Sequence, residues 1–305
     1  MKRRSLRDYA FISLKGLAMG AADAVPGVSG GTIALVSGIY EELVETISNI
    51  NIGLFKLLLK GKLKTFWKNA NGNFVLALGI GILVSYVSFM KLAKYLLEYH
   101  PILIWSFFLG LIIASIWYMG KQIPKWRLST ILFLLLGVGI GYFLTTLPTA
   151  EANDQLVYFF FCAAIAICAM ILPGISGTFI LILLGGYSTL STAVAEFDAK
   201  KLIVFVSGAV VGLLSFSKVL KWLLHKFHVQ TFAVLTGLII GSINQVWPWK
   251  KVLRTKTFGD KTIVVDDMNV WPTAFEGDNQ LILAIFLAMI GFSLIFILER
   301  VASKK

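Results

Sequence analysis

The chain has 305 residues, of which 57% are hydrophobic and only 14% are charged. A soluble domain carries about 25% charged residues, so this chain has too little polar surface to face water on all sides. The net charge of +12 does not indicate nucleic-acid binding, because most of the basic residues lie between apolar stretches, as they do in membrane proteins. The composition predicts an integral membrane protein with no nucleic-acid partner.

The apolar stretches predict an all-α, polytopic fold. Each of six continuous stretches is close to the roughly 20 residues that an α-helix needs to cross about 30 Å of hydrocarbon. They are residues 74–97, 102–120, 128–147, 202–224, 231–248 and 280–299. Two further apolar segments, 11–47 and 155–195, are interrupted by Pro and Gly. Because irregular backbone in a membrane must be satisfied inside the protein or line a cavity, both segments are predicted to be re-entrant, broken-helix hairpins.

The interrupted segments are copies of each other. Pro-Gly-Val-Ser-Gly at 26–30 returns 147 residues later as Pro-Gly-Ile-Ser-Gly at 173–177. Further along, Gly-Leu-Ile-Ile-Ala-Ser-Ile at 110–116 matches Gly-Leu-Ile-Ile-Gly-Ser-Ile at 237–243, now 127 residues apart. The first copy is therefore 20 residues longer between its hairpin and its next span. We predict two repeats, each with one hairpin and three spans: residues 1–150 and 151–305.

The basic residues predict the orientation of the repeats. The N-terminal arm and the loop after the first hairpin, with five lysines in 56–68, are both basic and are expected to be cytoplasmic. The hairpin then crosses the membrane an even number of times, and three spans follow. An odd number of crossings per repeat makes the two repeats inverted, with both termini cytoplasmic. Substrate sites in such proteins lie at the interface of the repeats.

The segment 249–279 does not fit this orientation well. It is placed outside, yet it contains Lys250, Lys251, Arg254 and Lys256. It also contains five acidic residues, so it is predicted to be a folded external loop.

The two hairpin tips have the residues expected of an anion pocket. Gly27, Gly30 and Gly31 allow backbone N–H groups to approach a ligand, and Ser29 and Thr32 add hydroxyls. Gly174, Ser176, Gly177 and Thr178 repeat this composition. Two tips that meet would form a pocket for a phosphate-sized group. The alternative is a pair of helix kinks whose hydroxyls only cap the backbone.

Several charged residues near the hairpins and spans are further candidates. Asp23 lies close to the first tip, where a carboxylate costs at least about 2.5 kcal/mol on insertion scales, so a role in coupling or gating is expected. The alternative is a carboxylate that caps the re-entrant backbone. Glu41 follows the repeated tyrosine within the hairpin, and is either a solvated residue near the interface or a vestibule residue with a role in coupling or gating. Lysines at two equivalent span ends either snorkel to the headgroups or attract an anionic headgroup; these are Lys91, Lys94, Lys218 and Lys221. The histidines lack a third ligand nearby, so neither a metal nor a cofactor is expected.

The motif at 20–32, Gly-Ala-Ala-Asp-Ala-Val-Pro-Gly-Val-Ser-Gly-Gly-Thr, resembles that of the PopT family of bacterial polyprenyl-phosphate transporters. The resemblance covers essentially the whole chain, including Pro-Gly-Ile-Ser-Gly-Thr at 173–178. It implies transport of undecaprenyl phosphate from the outer to the inner leaflet of the plasma membrane. Mapped onto the motifs, it implies phosphate contacts by Ser29, Gly30, Gly31, Thr32, Ser176, Gly177 and Thr178, and a coupling carboxylate at Asp23. The sequence carries no indication of oligomeric state.

Two other functions remain open from the residues alone. Undecaprenyl-diphosphate phosphatases of the inverted-repeat type have a similar Pro-Gly-x-Ser turn, but with Arg after the Ser. Here Gly30 and Gly177 occupy that position, so neither tip supplies the cation that phosphoryl transfer needs. A transporter for a small soluble anion or an amino acid would need only helix ends and hydroxyls.

Overall fold

The computed structural model describes residues 4–25, 28–258 and 261–303. Pro26 and Gly27 of the first predicted tip, and Lys304 and Lys305 of the C-terminus, lie outside the described residues. The helices are α1 (Leu6–Asp23), α2 (Gly30–Val36), α3 (Tyr40–Ser48), α4 (Ile52–Leu59), α5 (Leu63–Asn69), α6 (Gly72–Tyr99), α7 (Pro101–Gln122), α8 (Leu128–Thr146), α9 (Leu156–Ile171), α10 (Gly177–Leu183), α11 (Gly186–Ala195), α12 (Ala199–Lys226), α13 (His228–Gly241), α14 (Ile243–Val246) and α15 (Leu281–Ser303). Two strands, β1 (Lys250–Phe258) and β2 (Lys261–Asn269), precede α15.

The long helices confirm the all-α polytopic fold. In the described part of the chain, five helical spans are long and apolar enough to cross a membrane: α6, α7, α8, α12, and α13 together with α14. The sixth predicted span is covered by α15. The predicted span 231–248 is not one helix, because α13 ends at Gly241 and α14 begins at Ile243.

Both interrupted segments are broken helices, as predicted. The first consists of α1, α2 and α3, and the second of α9, α10 and α11. The short middle helices have seven residues each, and α10 and α11 are bent by 106° at their junction. Gly38 and Gly185 occupy equivalent places at the ends of the middle helices and have φ of 72° and 69°, a backbone that only Gly adopts readily. The extra 20 residues of the first copy form α4 and α5.

The helices pair reciprocally between the two halves of the chain. Within each half, the first arm of the hairpin packs against the next long helix, α1 on α6 and α9 on α12. Between the halves, α8 packs on α13 and α7 packs on α15. The third span of each half therefore lies against the second span of the other, so the halves interlock. This pairing agrees with two repeats related by a pseudo-twofold axis, while their inverted orientation in a membrane stays a prediction.

Glycines allow the backbones of these paired helices to approach each other closely. A Cβ atom added to Gly137 would lie 2.2 Å from the carbonyl oxygen of Val234, and one added to Gly110 would lie 1.9 Å from that of Ala288. Small residues that let backbones approach are the usual basis of helix association in membranes.

The segment 249–279 is folded around an antiparallel β-hairpin of β1 and β2. Its basic residues pair with acidic residues of the same segment: Lys250 with Asp267 at 3.1 Å and Lys251 with Glu276 at 2.5 Å. The hydrogen bond from Lys251 also lowers the pKa of Glu276. These two pairs neutralise much of the positive charge that argued against an external position, although the position itself stays a prediction.

Candidate functional site

The two hairpin tips meet in the interior of the protein. The backbone N–H of Gly174 in the second tip donates a hydrogen bond of 2.9 Å to the hydroxyl of Thr32 in the first. The hydroxyl of Ser29 donates to the carbonyl of Leu172, at 3.3 Å. A Cβ atom on Gly31 would lie 2.8 Å from the carbonyl oxygen of Ile171, so only Gly permits this approach. The tips therefore form one site from residues 142 positions apart along the chain.

Asp23 organises the first tip. Its carboxylate accepts a hydrogen bond of 2.7 Å from the N–H of Gly30, the first residue of α2. The Ser29 hydroxyl accepts from the N–H of Gly31 at 3.1 Å. Because α2 has only seven residues, the polar groups that this tip offers are individual N–H and hydroxyl groups rather than a long helix dipole. In this conformation those donors are satisfied by the protein itself.

The second tip is similar to the first but not identical. The Ser176 hydroxyl caps α10 by accepting from the N–H of Phe179, at 3.5 Å, as Ser29 caps α2. Thr178 does not repeat the position of Thr32: it is equivalent in sequence to Gly31, and its side chain is exposed. The carboxylate of Asp23 has no counterpart either, because Met170 stands at the equivalent position. Of the predicted phosphate contacts, Ser29, Gly31 and Thr32 lie at the contact between the tips, whereas Thr178 is exposed and makes no hydrogen bond to the first tip in the described structure.

Sequence analysis did not assign Lys15 a role, although it interrupts an apolar segment. Its ammonium group donates a hydrogen bond of 2.6 Å to the carbonyl of Ser37, at the C-terminal end of α2. Asp23 holds the N-terminal end of the same helix, so α2 lies between a carboxylate and an ammonium group. In the second hairpin, Cys162 occupies the place of Lys15, and its sulfur lies 3.8 Å from the carbonyl oxygen of Leu184. The sequence repeat could have revealed this equivalence, because Cys162 follows Lys15 by 147 residues and Leu184 follows Ser37 by the same number.

A second polar region lies where α3 packs against α12. Lys221 donates to the side-chain oxygen of Asn49 at 3.0 Å and lies 3.5 Å from the Glu45 carboxylate. At the start of α3, the Glu41 carboxylate lies 2.9 Å from Nε2 of His228, the first residue of α13. The predicted gating residue Glu41 therefore bridges the two halves of the chain.

An open pocket of about 370 Å³ lies beside these contacts. It is lined by Ser48, Lys218, Lys221, Trp222 and His225. The equivalent lysines of the first half, Lys91 and Lys94, are exposed on α6. The lysines of the second half line this open pocket, Lys218 exposed and Lys221 partly buried, whereas Lys91 and Lys94 are not among the residues that line it.

The polar groups at the tips and beside α3 have the chemistry of an anion-binding site. No group of three or more His, Cys, Asp or Glu residues capable of holding a metal occurs among the residues that were described. The donors at the tips and the lysines beside α3 all favour negative charge. A polytopic helical protein whose two broken hairpins meet tip to tip has the architecture of transporters that bind substrate between discontinuous helices.

The chain belongs to a family described as undecaprenyl phosphate translocase-like (VCA0040-like), whose model matches residues 19–265. It is 43% identical over 303 residues to a polyprenyl-phosphate transporter of Vibrio cholerae, covering 97% of this chain and 98% of that protein. It is 33% identical over 263 residues to a polyprenyl-phosphate transporter of Staphylococcus aureus, covering 80% and 88% of the two chains. No solved structure matches it. The family expected from the motif at 20–32 is confirmed.

Proposed function

We propose that this protein carries undecaprenyl phosphate across the bacterial plasma membrane, from the outer to the inner leaflet, and that it has no catalytic activity. The observation that carries the proposal is the direct contact of the two hairpin tips, Gly174 N–H to Thr32 at 2.9 Å. The membership of the family and the names of its relatives support the same substrate class.

The hydrogen bonds at the tips support a mechanism of exchange. When the tips separate, the hydroxyls of Ser29 and Thr32 and the N–H of Gly174 lose their partners and can bind phosphate oxygens instead. Phosphate accepts several charge-assisted hydrogen bonds, which are about twice as strong as neutral ones. Substrate binding therefore compensates for the bonds that opening breaks, while the isoprenoid tail stays in the lipid.

The composition of the tips supports transport without chemistry. Phosphoryl transfer needs a cation on the transferred group, and the residues after both tip serines are Gly30 and Gly177. The second hairpin would extend the site through the remaining predicted contacts, Ser176, Gly177 and Thr178. Of these, Thr178 can reach a bound phosphate only if α10 moves.

The test combines leaflet exchange in vesicles that contain the purified protein and polyprenyl phosphate with equilibrium binding of the same lipid to the protein in detergent. We expect Ser29→Ala and Ser176→Ala to weaken binding of the lipid phosphate about tenfold each, the usual loss of one hydrogen bond to a charged group. Ser207→Ala is the matched control, because Ser207 is exposed on α12 and bonds only to its own helix in the described structure.

Each outcome separates the competing functions. Wild-type vesicles without lipid movement would refute the proposal, and uptake of a small anion or amino acid by them would favour the soluble-substrate transporter. Release of inorganic phosphate from undecaprenyl diphosphate would identify an enzyme. If both serine variants bind the lipid phosphate with unchanged affinity, the hairpin tips are not its binding site.

A further inference from the structure

We propose that the pocket between α3 and α12 is a second binding site, which holds the phosphate monoester headgroup of the polyprenyl lipid at the cytoplasmic end of its path. This inference rests on the proposed function. The pocket is separate from the hairpin tips and has a different chemistry, since it is lined by cationic side chains rather than by backbone donors.

The lining of the pocket follows from the helical period. Lys218, Lys221, Trp222 and His225 are spaced three or four residues apart on α12, so they share one face. Ser48, at the end of α3, contributes to the lining from the other half of the chain. The site is therefore built from both halves of the chain.

The charge of the pocket is not balanced by the protein. Lys221 is held by Asn49 and Glu45. Lys218 forms no ion pair with any described residue. Two lysines therefore face one carboxylate, and the excess positive charge suits a group with up to two negative charges and several acceptor oxygens.

The apolar side of the pocket favours a lipid over a free anion. Trp222 is 52% exposed, and its ring gives the pocket an apolar wall next to the lysines. Val219 and Val211 are about half exposed and lie near the same stripe of α12. An isoprenoid tail can follow this stripe into the bilayer while its phosphate remains between the lysines.

The predicted orientation puts this pocket at the cytoplasmic face. The C-terminal end of α3 leads towards the basic segment 56–68, and Lys221 near the C-terminal end of α12 donates to Asn49 directly after α3. A phosphate that leaves the hairpin tips towards the cytoplasm would reach these lysines next. The pocket would then retain the headgroup in the inner leaflet until it is released.

The test measures equilibrium binding to the full-length protein in detergent, with three probes: undecaprenyl phosphate, the corresponding polyprenol and inorganic phosphate. We expect Lys218→Gln/Lys221→Gln to bind undecaprenyl phosphate about tenfold more weakly, as for the loss of a charge-assisted bond. Lys218→Arg/Lys221→Arg should retain most of the binding, since it keeps the charge. Lys200→Gln is the matched control, an exposed lysine at the other end of α12.

Several results would overturn the inference. One is equal binding of undecaprenyl phosphate by the wild type and the double Gln variant; another is equal binding of polyprenol and undecaprenyl phosphate. Inorganic phosphate bound as tightly as the lipid would assign the site to a free anion instead. If the double variant does not fold, Lys218→Gln alone is decisive, because that side chain has no ion pair to lose.

The same experiment distinguishes this inference from the proposed function. Wild-type protein that binds the lipid in detergent through Lys218 and Lys221, but moves none between leaflets, would leave the site standing and refute transport. If the double Gln variant binds the lipid as tightly as the wild type and still exchanges it between leaflets, the second site is refuted and the proposed transport function stands.

Discussion

Asp23 accepts one hydrogen bond from the backbone of Gly30, and Met170 stands at its place in the second hairpin. The carboxylate therefore has either a structural role, as a cap of α2, or a functional one that only one half of the protein provides. Two substitutions separate these roles, because Asn keeps an acceptor oxygen and removes the charge, whereas Ala removes both.

We expect Asp23→Asn and Asp23→Ala both to slow lipid exchange by about tenfold, because an ionisable residue inside the membrane is costly and marks a functional site. Only Asp23→Ala should lower stability, by about 1–2 kcal/mol, because it leaves the Gly30 N–H without a partner. Thermal unfolding in detergent and exchange in vesicles measure the two effects. If Asp23→Asn exchanges lipid at the wild-type rate, the charge of Asp23 has no role in transport and the residue serves only to cap α2.

Among the elements, the close helix pairs make the most direct prediction. In α8, Gly137 touches the backbone of α13, whereas a Cβ atom on Gly139 would meet nothing within 4 Å. Gly137→Ala must therefore push α8 and α13 apart, and we expect a loss of about 1–3 kcal/mol, typical of overpacking. Gly139→Ala should be neutral or slightly stabilising, because Ala is the better helix former. Equal melting temperatures of the two variants would contradict this packing.

The elements also show what sequence can and cannot predict here. Long apolar windows identified the spans, and the repeated Pro-Gly motif identified both broken hairpins, since these signals are local. The sequence predicted that the two tips could meet, but not the hydrogen bond from Gly174 to Thr32. The hydrogen bond from Lys15 to Ser37 was not predicted at all. Such contacts depend on how distant segments pack, and no local pattern encodes them. The β-hairpin at 250–269 was predicted only as a folded loop because its charged strands have little apolar alternation.

For the whole molecule, the inverted orientation can be tested by labelling single cysteines in the Cys162→Ala/Cys168→Ala background. Lys60→Cys, in the basic loop, should react with an impermeant thiol reagent only from the cytoplasmic side. Thr255→Cys, in the β-hairpin, should react only from outside. Both positions are exposed, so each should label readily. Labelling of both from the same side would refute the inverted arrangement.

The contact of α3 with α12 gives a second prediction at this scale. Glu41 and His228 join the halves of the chain at 2.9 Å, whereas α11 makes no comparable contact with α6 among the described residues. If transport requires the halves to separate here, as in proteins whose repeats rock against each other, joining Glu41→Cys to His228→Cys with a reducible bifunctional thiol reagent should stop lipid exchange, and a reductant should restore it.

The control for this cross-link is Thr255→Cys/Val264→Cys, which joins paired positions of β1 and β2. That bond lies within one hairpin and should leave exchange unchanged. Full exchange with the Glu41–His228 positions linked would show that this contact does not open during transport.

The opposite charges at the ends of α2 have a consequence for the driving force. A membrane potential of 100 mV acts on each elementary charge with about 2.3 kcal/mol across the bilayer. Lys15 and Asp23 are held to the same short helix, so a movement that carries both is electrically silent to a first approximation. The second hairpin carries Cys162 and Met170 at these places and contributes no charge. This pair of groups therefore adds no voltage dependence of its own, and the rate of exchange should depend on potential through the charge of the lipid rather than through Lys15 and Asp23.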